Sequence, residues 1–153
     1  MTPSGETARS VQPMVALKNS KDEDHYQALI RLQEPDGRLL SAKDFIPMAE
    51  RMGIISHIDQ WVARKAISII NASLQQDIHL HLFVSQAADL LDNMERLTWL
   101  RHKHSSGKLH ENTLTFEFRL ADVAQHLNSA KICFDMLHKM GVTTLLTGVN
   151  FST

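Results

Sequence analysis

Two short runs near the start of the chain, Val11–Leu17 and His25–Leu32, are rich in apolar residues and read as β-like. The polar tract Lys18–Asp24 joins them. A link of that length suits a hairpin, so the pair is expected to be antiparallel. Glu34-Pro35-Asp36-Gly37 closes the second run with residues that favour turn dihedrals. Ser41, with Asp44 three residues on, reads as an imperfect capping box for a short helix, Asp44–Met52. That reading puts Pro47 in the first turn, where a missing N–H does no harm, and Gly53 at the C′ position.

Beyond Gly53 the period changes. Ile58, Trp61, Val62, Ala66, Ile69 and Ile70 recur at helical spacing, giving a helix capped by Ser56 and ending near Leu74. Leu80–Val84 reads as a strand, and Asp89–His102 as a helix with Leu90, Leu91, Met94, Leu97 and Leu100 on one side. The polar loop Ser105–Asn112 leads into the strand Thr113–Phe118. A helix Asp122–Met140, closed by Gly141, precedes a last strand, Thr143–Val149. Single strands alternating with helices imply parallel strands with right-handed crossovers, hence an α/β sheet. Periodicity alone leaves open whether that sheet is flat or an arc of a barrel.

Composition narrows the function classes. The 153 residues fit one domain, with 43% apolar content and 22% charged. Residues 1–10 read as a polar, disordered lead, with the domain spanning 11–153. A formal net charge of −1 carries no footprint for nucleic acid. No apolar run approaches a membrane span, and no export signal is visible, so a cytoplasmic setting is expected. The single cysteine, Cys133, falls in a helix and reads as a buried, inert thiol.

Five short stretches in the first third sharpen the picture: Gln12-Pro13-Met14-Val15, Gln27-Ala28-Leu29-Ile30-Arg31, Asp36-Gly37, Phe45-Ile46-Pro47-Met48-Ala49-Glu50 with Gly53, and Ile58-Asp59-Gln60-Trp61-Val62. They resemble the opening of EAL domains, which run QP(I/V)V, EALxR, G, FIPxAE, G and IDxWV in the same order. Weaker likenesses follow at Leu82–Leu90, Leu114–Leu120 and Gly141–Val149. The resemblance implies a (β/α)8 TIM-like barrel whose first strand is antiparallel. The chain would hold its front part, about five strands, with the family's later Lys and Glu falling beyond Thr153 and the inward side chains Leu114, Phe116 and Leu145 short of part of their cover.

Active EAL enzymes use two divalent cations to cleave one phosphodiester of cyclic di-GMP, which needs several carboxylates at the C-terminal ends of barrel strands. On this resemblance Gln27 replaces the Glu that names the motif and Ser85 replaces an Asn. Thr147 and Gly148 replace a pair of Asp residues, so Glu117 alone keeps a metal-binding type. Leu120 stands where the family has a second, loop-ordering Glu. The expectation is a degenerate site without metal or cofactor. For ligand contacts the resemblance points to Leu29, Arg31 and Asp59, with alternation placing Gln27, Leu29 and Arg31 on one face. Arg31 would fork onto a phosphate or form an interior ion pair with Glu117; Asp59 would touch a guanine or, more plainly, favour the dipole at the first turn of its helix.

Nine histidines are present without zinc-site spacing and read as surface residues; Trp61 and Trp99 read as packing residues. The expected function is an inactive EAL-like module in bacterial signalling, similar to the FimX-type degenerate receptors. It would act as a protein-interaction adaptor, through a partner or a homodimer, or as a receptor for cyclic di-GMP. The alternatives are an active phosphodiesterase or a fragment of a larger signalling protein.

Overall fold

The computed structural model describes residues 12–19 and 24–148. The predicted lead at 1–10, together with Val11 and Val149, lies outside them. Two strands, β1 (Gln12–Asn19) and β2 (His25–Gln33), pair antiparallel from Gln12↔Gln33 to Asn19↔Tyr26, as the hairpin reading required. A short strand that periodicity had not shown, β3 (Leu39–Ser41), folds back onto the end of β2. Then come α1 (Ala42–Met52), α2 (Ile55–Gln75), β4 (His81–Ser85) and a 3-10 turn (Ala88–Asp92). The remainder is α3 (Met94–Ser105), β5 (Leu114–Arg119), α4 (Leu120–Gln125), α5 (Leu127–Lys139) and β6 (Thr143–Thr147). Strand order is β1-β2-β4-β5-β6, with β2, β4, β5 and β6 mutually parallel. The result is the mixed α/β sheet expected from the alternation of elements.

One edge of β2 does two jobs. Its first residues, His25–Ala28, pair with β4, while its last, Arg31–Gln33, pair with β3. At Leu29 and Ile30 neither strand is beside it, and the sheet parts there. This parting opens a cleft at the C-terminal ends of β4 and β5.

Helices cover the other face. Leu82, Val84, Leu114, Phe116 and Phe118 are essentially sealed against Ala66 and Ile70 of α2, Leu97 and Leu100 of α3, and Cys133 and Leu137 of α5. Each fully buried side chain of this size contributes about 1.5–3 kcal/mol relative to exposure. Leu114 and Phe116 thus face the helices, correcting the view of them as barrel-interior residues short of cover. Leu145, on the opposite face with Glu117, is the exposed one.

Several local readings change. α1 begins at Ala42, so Pro47 sits inside the helix rather than in its first turn, and Ser41 Oγ donates to Asp44 Oδ2 (3.0 Å) instead of capping a backbone N–H. Gly53 does end α1 with φ +72°, Ile54 N–H reaching Ala49 O and Gly53 N–H reaching Glu50 O. Ser56 lies within α2 and donates to Asp89 Oδ2 at 2.6 Å. The helix expected at Asp89–His102 is two pieces, because Asn93 breaks the chain and its side chain accepts from Arg96 N–H at 3.1 Å. The helix expected at Asp122–Met140 breaks at His126, whose backbone leaves the helical region. Among the described residues, no helix is long and apolar enough to cross a membrane.

Candidate functional site

Alternation along the parallel strands sends Gln27, Leu29 and Arg31 of β2, Ser85 of β4, Glu117 and Arg119 of β5, and Thr147 of β6 to one face of the sheet. At the parting of β2 all of these but Gln27 line a cleft of about 310 Å3, closed on its other side by Ile55, Ile58 and Asp59 of α2. Leu29, Arg31, Asp59, Ser85, Glu117 and Thr147, singled out from the sequence, all border it. Gln27 reaches it through Glu117, and Gly148 (φ +75°) follows directly on β6.

The centre of the face is a carboxylate held by an amide. Gln27 Nε2 donates to Glu117 Oε1 at 2.8 Å and to the carbonyl of Phe83 at 3.1 Å. Ser85 Oγ approaches the same carboxylate oxygen at 3.5 Å. Arg31 Nη1 donates to its neighbour's carbonyl, Ile30 O, at 2.9 Å. The interior ion pair between Arg31 and Glu117 is therefore not formed. Among the described residues, no group of three or more His, Cys, Asp or Glu side chains is placed to share one cation.

Asp59 differs from its plain reading. It is the fifth residue of α2, beyond the first turn, and 8% exposed. Its Oδ2 accepts the Ala87 N–H at 2.5 Å, tying α2 to the loop after β4. Loss of hydration pushes its carboxyl up to about 6, outweighing the Ala87 bond and the attraction of Arg96, while Asp89 and Glu50 repel it. Arg96 is buried and has its own pKa lowered for the same reason, although Asp59 and Asp89 draw it upward. Its Nη2 donates to Gln86 Oε1 at 2.6 Å, and Gln86 Nε2 donates to Asp59 O at 3.3 Å.

Sequence reading missed Arg119, Gln86 and Arg96. Arg119 carried a signal, since it follows Glu117 by two residues on a strand and must share its face. It pairs with Asp122 at 3.2 Å while bordering the cleft. Arg96 carried none, because it falls among polar residues of an ordinary helix.

Lower on the same face, His81 corrects the surface reading of the histidines. It is 8% exposed, stacked obliquely on His25 and Phe83, with ring centroids 5.0 Å from each. Nδ1 donates to Asn112 O at 3.1 Å, leaving Nε2 to accept from Thr115 Oγ1 at 2.7 Å. Thr115 is in turn bonded to Thr143. Burial and His25 lower the His81 pKa, favouring this neutral form. His79 is outside the strand and exposed. Cys133 is sealed and its thiol pushed up to about 12 by burial, as an inert thiol should be. Trp61 and Trp99 pack against the core cluster, in line with the packing reading.

A family model for the EAL domain matches residues 4–151. The chain is 30% identical over 138 residues to an uncharacterised 76.5 kDa protein of Thiocystis violacea, covering 90% of this chain and 20% of that protein. It is 40% identical over 68 residues to the cyclic di-GMP phosphodiesterase PdeB of Shewanella oneidensis, covering 43% of this chain and 8% of that protein. Among solved structures, the FimX EAL domain of Pseudomonas aeruginosa bound to c-di-GMP superposes with a TM-score of 0.76 at 22% identity. That match covers 97% of this chain and 61% of the FimX chain. The chain thus spans about a fifth or less of these two curated relatives.

Proposed function

The chain belongs to the EAL domain family, and from that premise we propose that it binds a cyclic dinucleotide of the c-di-GMP type without hydrolysing it. The observation that carries this reading is the 2.8 Å bond from the Gln27 amide to Glu117. An EAL phosphodiesterase needs converging anionic oxygens for two divalent cations. Glu117 meets an amide, Gln27, and a hydroxyl, Ser85, while the hydroxyl residue Thr147 borders the same cleft. That donor set does not fit a two-cation centre. The Gln27 N–H occupies one of the lone pairs of Glu117 and adds no anionic oxygen to the site.

Binding draws on other residues. Arg31 uses one terminal nitrogen on a carbonyl, which leaves further N–H donors for a phosphate oxygen. Leu29 offers an apolar wall for a base, and Asp59 anchors the loop that closes the cleft. Residues 11–153 form the binding domain in this reading, working as a receptor inside a cytoplasmic bacterial signalling protein.

Incubation with cyclic di-GMP and Mg2+ or Mn2+, followed by chromatography, should leave the nucleotide intact; linear pGpG formed with turnover would reject the reading. Calorimetric titration should show binding that is equal with Mg2+ and with chelator. A second role, as an adaptor for a protein partner or a second copy, draws on β6. Among the described residues it pairs only with β5, and it exposes Leu145 and Leu146. Light scattering over a concentration series tests that role, a constant monomer mass counting against self-association.

A further inference from the structure

On the helical side of the molecule, α2 and α3 enclose a second groove of about 800 Å3 that shares no lining residue with the cleft. One wall is a single face of α2, running from Arg64 to Gln75, about 16 Å at the rise of an α-helix. The opposite wall is Trp99 and Lys103 of α3, with the loop Gly107–His110 at its end.

Three features make this groove unlike an ordinary solvated helix surface. The first is charge. Arg64, Lys103, Lys108 and His110 border it, and no Asp or Glu does. The chain as a whole has a net charge of −1, so positive charge is gathered here rather than being general. Among the described residues, none of the three Lys and Arg side chains forms an ion pair. The second is an apolar floor. Ile67 is buried, Leu74 and Trp99 are half-buried, and Lys103 Nζ lies 5.3 Å from the Trp99 ring centroid. The third is rigidity. Gly107 N–H bonds His104 O and Lys108 N–H bonds Lys103 O, a helix-ending turn that fixes the loop. Asn71 Nδ2 then clips the loop to α2 by donating to Lys108 O at 2.9 Å.

We propose that this groove docks an acidic segment of a partner protein, about three helical turns long, with an apolar side chain seated on Ile67, Leu74 and Trp99. Charge complementarity selects an acidic occupant, and the apolar floor selects a peptide over a nucleic acid, whose binding rests on phosphate contacts. The preformed walls reduce the ordering cost of association. Rim cations of this kind steer encounter, so binding weakens as salt rises.

The 15N-labelled chain is titrated at low salt with a helical peptide of about twelve residues, Leu on one face and Glu on the other. Parallel titrations use the same peptide with Lys for Glu and a short DNA duplex. Saturable amide shifts confined to residues 64–75 and 99–110, for the Glu peptide alone and lost at high salt, are expected. Lys103→Glu with Lys108→Glu should weaken binding at least about tenfold. If that variant fails to fold, Lys103→Met with Lys108→Met keeps the aliphatic stems and reads the charge alone. Absence of saturable shifts, equal binding by the Lys peptide, preference for the duplex, or wild-type affinity in the folded variant would overturn the proposal.

Discussion

Gln27→Glu is the substitution that tests most directly how the cleft is held together. In the native chain the amide donates to Glu117 Oε1 at 2.8 Å and to Phe83 O at 3.1 Å. A glutamate keeps the shape and reverses the chemistry, since an ionised carboxylate only accepts. A hydrogen bond to a charged acceptor is lost, worth about 1.5–3 kcal/mol. Repulsion is added: two like charges about 4 Å apart interact by roughly 4 kcal/mol at an effective dielectric of 20. Both side chains are half-buried, so solvent relieves much of that repulsion, and the pair escapes more by sharing a proton. The expected net loss at about pH 8 is therefore roughly 2–4 kcal/mol. A carboxylate pair whose folded pKa is raised gives stability that is present at low pH and disappears as pH climbs through the raised value. Near pH 5, where a shared proton restores an O–H···O bond, most of the deficit should vanish. Urea unfolding of the wild type, Q27E and Q27E with E117Q at both pH values measures this, the double variant recovering stability at the higher pH. A Q27E protein as stable as wild type at the higher pH would refute the geometry, and so would a deficit that ignores pH. Hydrolysis should stay absent in Q27E, because Ser85, Thr147 and Gly148 are unchanged.

Arg31→Ala should lower cyclic di-GMP affinity ten- to hundredfold, about 1.5–3 kcal/mol for a charge-assisted contact, equally with and without Mg2+ in calorimetry. Gly141→Ala should destabilise the fold by roughly 1–3 kcal/mol in urea unfolding, since φ is +81° and the added Cβ would sit 2.6 Å from Glu111 Cγ. For Asp59 the folded pKa is raised to about 6, so its contribution is fully present below the ordinary carboxylate range and is lost as pH rises through 6. Asp59→Asn should accordingly gain on wild type by roughly 2–3 kcal/mol between about pH 4 and 7.5, read as the difference of two urea stability profiles.

How much of this was visible in the sequence depends on which physical signal carried it. The antiparallel start was legible because Lys18–Asp24 is too short for a crossover. The α/β order was legible because the apolar period switches between helix and strand spacing. Facing was not. Thr113–Phe118 was read with its apolar residues toward a barrel interior, yet in a parallel sheet both faces are covered and hydrophobicity cannot choose between them. Glu117 could have chosen: a carboxylate between Phe116 and Phe118 has to lie opposite the sealed face, which places the two Phe against the helices. Asn93 also carried a readable signal as an N-cap residue, but the apolar stripe from Leu90 to Leu100 runs across it and hides the break. His126 had no such signal, having neither Gly nor Pro beside it. His81 differs from the surface reading because a histidine in a strand looks the same in sequence whether solvent or a threonine hydroxyl donates to its ring nitrogen.

The buried polar cluster beneath the cleft fixes the loop after β4 through bonds in which Gln27, Glu117 and Thr147 take no part. In these side-chain bonds the loop is held from α2 and α3 rather than from the strands that carry Gln27 and Glu117. Ala87 N–H is fixed by Asp59 Oδ2, and Gln86 is fixed from both sides, by the Asp59 carbonyl and by the Arg96 guanidinium. Asp89, itself bonded by Ser56 and Asn93, stands 3.8 Å from Arg96 and continues the chain of contacts into α3. Desolvation moves Asp59 and Arg96 in opposite directions, each toward neutrality, so this cluster costs stability that an apolar core would not. Among the described residues, Nε and Nη1 of Arg96 have no hydrogen-bond partner. What the cluster supplies in return is placement: it sets Ser85, and with it one wall of the cleft, from below. The side chains of Gln27, Ser85 and Thr147 make none of these bonds. On the proposed reading, the side chains on the sheet can therefore differ in chemistry while the wall built by α2 and the loop after β4 stays in place.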